Sequence, residues 1–194
     1  MADAPAKTDM LTIEEYIRLY ESEGAFELIH GERVQIMPPL AGHSYIVNLL
    51  YKLLMQFLAK NPVGEVFVEV PFVLPDTDTG RWVKGSRVPD VAFFAADRLK
   101  SYMEQTSDWQ NKPFMIVPDL VVEVVSKNDS YSDVTEKVEL YLQDGVRLIW
   151  VIDPHRRKVV VHEGSSQMTL SADDTLSGGE VAPDFSVSVG ALFE

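Results

Sequence analysis

The 194-residue chain contains no cysteine. Disulfides, thiolate metal sites and a cysteine nucleophile are therefore excluded, and a reducing compartment is the expected setting. It also lacks any apolar run approaching the roughly 20 residues that a membrane span needs. No N-terminal stretch joins a basic start to an apolar core, so the expectation is a soluble, unexported, cytoplasmic protein. No P-loop, glycine-rich dinucleotide fingerprint or Gly-x-Ser-x-Gly elbow occurs. Positive charge is scarce: 17 Lys and Arg stand against 30 Asp and Glu, a net charge of −13. Such an excess argues against a nucleic-acid partner, because phosphate is contacted by cations. Its distribution weakens that argument. Residues 1–32 carry eight acids and two bases, residues 163–194 carry six acids and no base, and the middle, 33–162, is close to neutral with 16 acids and 15 bases. Acidic ends by themselves would simply favour solubility.

What is present suffices for a sizeable core: 46% of residues are hydrophobic and 24% charged. Residues 1–9 read as a disordered N-terminus, followed by a single domain over 10–194. Thr12, Glu14 and Glu15 read as the cap and acidic first turn of a helix that Gly24 ends. Phe26–Ile29 and Glu32–Met37 around His30-Gly31 read as a hairpin. A long helix is expected from Gly42 to Ala59, then one strand over Glu65–Leu74 and a loop over Pro75–Ser86. Val91–Ala95 reads as a buried strand, and 97–115 is ambiguous between helix and loop. Further strands are expected at Leu120–Val125, Arg147–Ile152 and Lys158–His162, with weaker ones near Met168–Leu170 and Phe185–Val189. A helix is expected over Ser132–Gln143, stopped by Gly145. Helices and strands intermix without regular alternation, which predicts a mixed α/β (α+β) fold around one central sheet.

Glu123 stands alone in the apolar run Leu120-Val121-Val122-Glu123-Val124-Val125. A strand apolar on both faces is buried on both faces. A carboxylate there loses hydration at a cost of several kcal/mol unless a cation or hydrogen bonds compensate it. A bound metal ion would supply that compensation. The tripeptide Val-Pro-Asp occurs twice, ending at Asp90 and Asp119, each time just before an apolar strand. Asp119 precedes Glu123 on the same strand by four positions, about 13 Å, too far to share an ion. Asp90 belongs to another strand and can lie beside Glu123 if the two are neighbours. Both carboxylates with the backbone carbonyl of Val124 would form an oxygen-rich site suited to magnesium or manganese. Ordinary turn chemistry is the competing reading for each aspartate.

Lys137 falls inside the apolar arc of its helix, between Leu140 and Tyr141, whereas Glu136, Glu139 and Gln143 point the other way. It reads either as a lysine snorkelling from the edge of the core or as a cation aimed at phosphate or an attacking water. Glu27 and Glu32 flank the hairpin turn and could add an acidic ligand, or be exposed turn charges. His43 is a candidate proton carrier, with solvent contact as the alternative. Arg81, Lys84 and Arg87 could touch a phosphate backbone. Arg156, Arg157 and Lys158 could be no more than a solvated turn.

Pro89-Asp90-Val91, Pro118 through Ser126, Asp129, Asp133, Lys137, Tyr141, Gly145-Val146, Trp150 and Asp153-Pro154 together resemble the Uma-type putative restriction endonuclease family, as do the Phe26–Glu32 hairpin and His43. The resemblance extends from the first helix to the terminal Leu192-Phe193. It implies a restriction-endonuclease-like fold and a variant PD-(D/E)xK nuclease site. Asp90 would then be the aspartate of that motif and Glu123 its second acid. Val125 occupies the position where the lysine is expected, which implies that the lysine has migrated to the next helix, as Lys137.

The expected activity is Mg²⁺- or Mn²⁺-dependent hydrolysis of phosphodiester bonds in DNA. Asp90 and Glu123, with Val124, would be metal ligands, Lys137 would position water or stabilise charge, and Glu27 would add an acidic group. Cutting both strands of a duplex would favour a homodimer. The alternative is a non-catalytic interaction module in which Glu123 and Lys137 form a salt-bridged core. An RNA-acting nuclease ranks lower, because aromatic and basic residues do not interleave as in a single-strand platform.

Overall fold

The computed structural model describes residues 11–76, 79–127 and 129–194, so the disorder expected for 1–9 lies outside the described residues. Contacts divide the chain into two compact units. The first contains the residues up to Pro38 together with Pro71–Val88 and Asp108–Val117. The second contains Pro39–Val70, Pro89–Ser107 and Pro118–Glu194.

In the first unit, Thr12 ends the short strand β1 (Leu11–Thr12) and caps helix α1 (Ile13–Glu23). Its hydroxyl accepts from the Glu15 amide while the Glu15 carboxylate accepts from the Thr12 amide, a reciprocal box that satisfies two end donors. The hairpin strands are β2 (Phe26–Ile29) and β3 (Glu32–Gln35). Its turn residues His30 and Gly31 both have positive φ, 50° and 83°, as a tight turn matched to strand twist requires. Strand β6 (Trp82–Arg87) pairs with β1, β2 and β5 (Phe72–Pro75), completing a five-stranded sheet. Ile13 and Tyr16 of α1 pack on Phe26, Leu28, Val73 and Val83.

The second unit is built on a six-stranded sheet in the order β11-β10-β9-β8-β7-β4. Its strands are β4 (Gly64–Val68), β7 (Val91–Ala95), β8 (Leu120–Val124), β9 (Leu148–Asp153), β10 (Lys158–Glu163) and β11 (Ser166–Leu170). Only β8 and β9 run parallel, and helix α4 (Tyr131–Asp144) makes the crossover that parallel neighbours require. Helix α2 (Ala41–Leu58) buries Ile46, Val47, Leu50, Leu54 and Leu58 against Leu120, Val122 and Val124. Strand alternation therefore turns Val121 and Glu123 to the other face, the one α4 serves. Helix α3 (Ala96–Gln105) follows β7, and the two-stranded pair β12 (Thr175–Ser177) and β13 (Ser186–Ser188) adds Leu176 and nearby Phe185 to the α2-side core.

Two expectations are corrected. The single strand expected over 65–74 is two strands in different sheets, because Glu69 turns with φ 50° and Pro71 follows it. The loop expected over 75–86 contains β6, whose buried residues include the polar Ser86 and Arg87. Polar side chains hid that strand: Ser86 Oγ accepts from the Leu28 amide and Arg87 Nη1 donates to the Leu28 carbonyl. The expected central mixed sheet is the six-stranded one; the hairpin belongs to a five-stranded sheet of its own, and β12–β13 form a separate pair.

Candidate active site

Strand pairing sets the site. β7 lies antiparallel to β8 with Val91 opposite Val122. One residue beyond that ladder, the same register puts Asp90 beside Glu123 on one face of the sheet. The second unit thus brings together the two carboxylates singled out from the sequence.

Glu123 is only 9% exposed. Its Oε1 accepts from the Tyr141 hydroxyl at 2.5 Å and its Oε2 from the Lys137 ammonium at 3.1 Å. Lys137 and Tyr141 are one helical turn apart on α4 and so face the same strand. Ser130 starts that helix with a capping box to Asp133, and Gly145 ends it in a left-handed conformation, φ 97°. A buried carboxylate held by a cation and a phenol has its desolvation offset. The Lys137 side chain remains 38% exposed, so its ammonium is not enclosed.

Asp90 Oδ2 accepts from the Val124 amide at 2.6 Å and contacts His43 Nε2 at 3.1 Å. It is thus the amide of Val124 that touches this carboxylate. His43 stands in the first turn of α2, and its Nδ1 is buried without a hydrogen-bond partner among the described residues. Nε2 is the nitrogen committed to a partner. The bond to Asp90 holds the imidazole above its ordinary value, helped by the nearby charges of Asp90, Glu123 and Glu69 and opposed by burial.

The second Val-Pro-Asp has a different part. Asp119 is fully buried and accepts from the Ala95 amide at 2.9 Å, Arg98 at 2.7 Å and Arg147 at 3.4 Å. It ties the end of β7 to the start of β8. Asp129 and Asp133 hold the amides of Ser126 and Ser130 at the approach to α4. Glu27 lies in the first unit, 3% exposed, where its Oε1 accepts from the Val88 amide at 3.0 Å. Glu32, Arg81 and Lys84 are exposed, whereas Arg87 is buried and bonded to backbone carbonyls. Two residues stand out more than the sequence reading allowed. Tyr141 enters the family resemblance with no role beyond the apolar arc, although its spacing of four from Lys137 places it on the same face. His43 read as one weak candidate among several.

A mixed sheet with helices on both faces is the restriction-endonuclease-like architecture of PD-(D/E)xK proteins. The model of the Uma2 family, "Putative restriction endonuclease", matches residues 13–190, and the chain belongs to that family. A crystal structure described as a putative nuclease from Anabaena variabilis has the same fold, with a TM-score of 0.74. The two are 24% identical, over 94% of this chain and 97% of that one. No curated protein matches the chain. No helix among the described residues is long and apolar enough to cross a membrane.

Proposed function

We propose that the protein is a Mg²⁺- or Mn²⁺-dependent endonuclease that hydrolyses phosphodiester bonds in DNA. One observation carries the reading: Asp90 and Glu123 sit side by side on neighbouring strands, with the Lys137 ammonium 3.1 Å from Glu123. Among the described residues no group of three or more His, Cys, Asp or Glu side chains is arranged to hold a metal ion. Magnesium commonly takes only one or two carboxylates and completes its shell with water and substrate phosphate. Two hard oxygen donors on adjacent strands fit that habit. Asp90 and Glu123, with the carbonyl of Val124, are the groups that would hold it. When bound, the ion would neutralise the scissile phosphate and lower the pKa of a water.

The chain's own groups have separable tasks. Tyr141 and Lys137 each engage one oxygen of Glu123 and so fix its orientation. His43 and the Val124 amide do the same for Asp90 through Oδ2, leaving Oδ1 outside both bonds. The Lys137 ammonium, on a partly exposed side chain, can also meet negative charge developing on a phosphate. Glu27 carries no step in this account: its carboxylate serves the Val88 amide within the first unit. A homodimer suits the reading, because two copies related by a two-fold axis can address both strands of a duplex. Glu123→Ala is expected to abolish metal-dependent cleavage of plasmid DNA while the protein stays folded by circular dichroism. Undiminished cleavage would sink the assignment.

A second reading has its own support. Both oxygens of Glu123 already have protein partners, as a salt-bridged core in a non-catalytic module would require. Calorimetric titration with Mn²⁺ separates the two. Binding that disappears in Asp90→Ala favours the enzyme; no binding by the unaltered protein favours the module.

A further inference from the structure

We infer that the segment His155-Arg156-Arg157-Lys158, the turn leaving β9 with the first residue of β10, is a contact surface for the phosphate backbone of duplex DNA. The inference rests on the nuclease reading and adds to it the place where flanking substrate would lie. The chain has 17 Lys and Arg and a net charge of −13, and Arg156-Arg157-Lys158 is the only place where such residues are adjacent. All four residues of the segment are exposed.

Topology places this charge. β8 and β9 run parallel, with Glu123 opposite Val151 and Val124 opposite Ile152. The chain leaves β9 at Asp153, so the turn extends from the end of the sheet that carries Glu123 and Asp90. β9 and β10 are the first and second neighbours of β8, so at about 4.8 Å per strand the turn lies roughly 10–15 Å from the carboxylate pair. A duplex presents one negative charge per about 1.7 Å of axis, so several phosphates fall within that span.

Local chemistry leaves the cations available. Arg156 is 76% exposed and meets Asp153 at 3.3 Å. Lys158 is opposite Asp153 in the β9–β10 register, so one acid faces two of the three cations. The Arg157 guanidinium carbon lies over the Phe193 ring, 5.7 Å from its centroid. An arginine held by an aromatic ring keeps its positive charge and its N–H donors for phosphate.

The test is binding of a short mixed-sequence DNA duplex to the full chain in Ca²⁺, followed by fluorescence anisotropy across a salt series. Arg156→Gln with Lys158→Gln is expected to weaken binding at low salt about tenfold or more. Two lost phosphate contacts should also flatten the slope of log affinity against log salt by about 2. A matched control removes two charges from the other end of the sheet, at Lys60 before β4 and Lys100 on α3, and is expected to leave both readouts nearly unchanged. Adding Arg157→Asn, which tolerates the left-handed backbone at φ 52°, should deepen the loss. Equal losses in the two double variants, or none in either, would overturn the turn's role and leave the nuclease reading standing. If the unaltered protein binds no duplex even at low salt, DNA as substrate falls, and the inference with it.

Discussion

The same tripeptide, Val-Pro-Asp, opens β7 and β8, and the two aspartates have opposite fates. Asp119 is fully buried, with two arginines and a backbone amide on its oxygens. The Asp90 side chain is 16% exposed and shares one oxygen between His43 and the Val124 amide. The strands are antiparallel, so the two motifs sit at opposite ends of the sheet. One end is locked by two arginine ion pairs, and at the other Asp90 and Glu123 are held by a histidine, a lysine, a tyrosine and a backbone amide. A motif with one local geometry is thus a rivet at Asp119 and, on the proposed function, a metal ligand at Asp90, according to what the topology puts next to it.

The sharpest way to break that contrast is to remove each aspartate in turn. Asp90→Ala is expected to cost several kcal/mol of transition-state stabilisation, about a thousandfold in cleavage rate, with little change in urea midpoint. Asp119→Ala should do the reverse, destabilising the fold by about 3 kcal/mol in urea titration. That is at the low end for a buried pair, because Arg98 and Arg147 are 43% and 50% exposed and can rehydrate. Tyr141→Phe keeps the buried ring and loses only the hydrogen bond to a charged acceptor, and should cost about 2 kcal/mol.

The smallest effect is a pH dependence in metal-free protein. Protonated His43 gains its partner only on folding, which raises its value above the ordinary 6.5. Its contribution is therefore complete below pH 6.5 and is lost as pH rises through the raised value. His43→Asn should flatten the thermal midpoint against pH over that window. A wild-type midpoint that does not fall there would contradict the assignment.

Much of this was legible in the chain because cost leaves a trace. A lone glutamate in an apolar strand had to have a partner, and the helical arc of 132–143 pointed to Lys137. Caps such as Thr12 and Gly145 marked helix ends by chemistry that acts within a few residues. What was hidden depended on distant partners. Ser86 and Arg87 look like loop residues until their bonds to the Leu28 backbone are seen. Glu65 to Leu74 looks like one strand because a left-handed turn at Glu69 leaves little mark on the hydrophobic pattern. Tyr141 passed as core because an aromatic ring on an apolar arc does not reveal where its hydroxyl ends.

The lysine at Glu123 comes from α4, an element away from the strand that bears the acid. In a site whose acid and lysine share one strand, forming that strand is enough to align them. Here alignment waits on the docking of a helix. A loosely packed state that keeps its secondary structure would retain both carboxylates yet lose the ammonium, so the Glu123–Lys137 pair is a property of tertiary order alone.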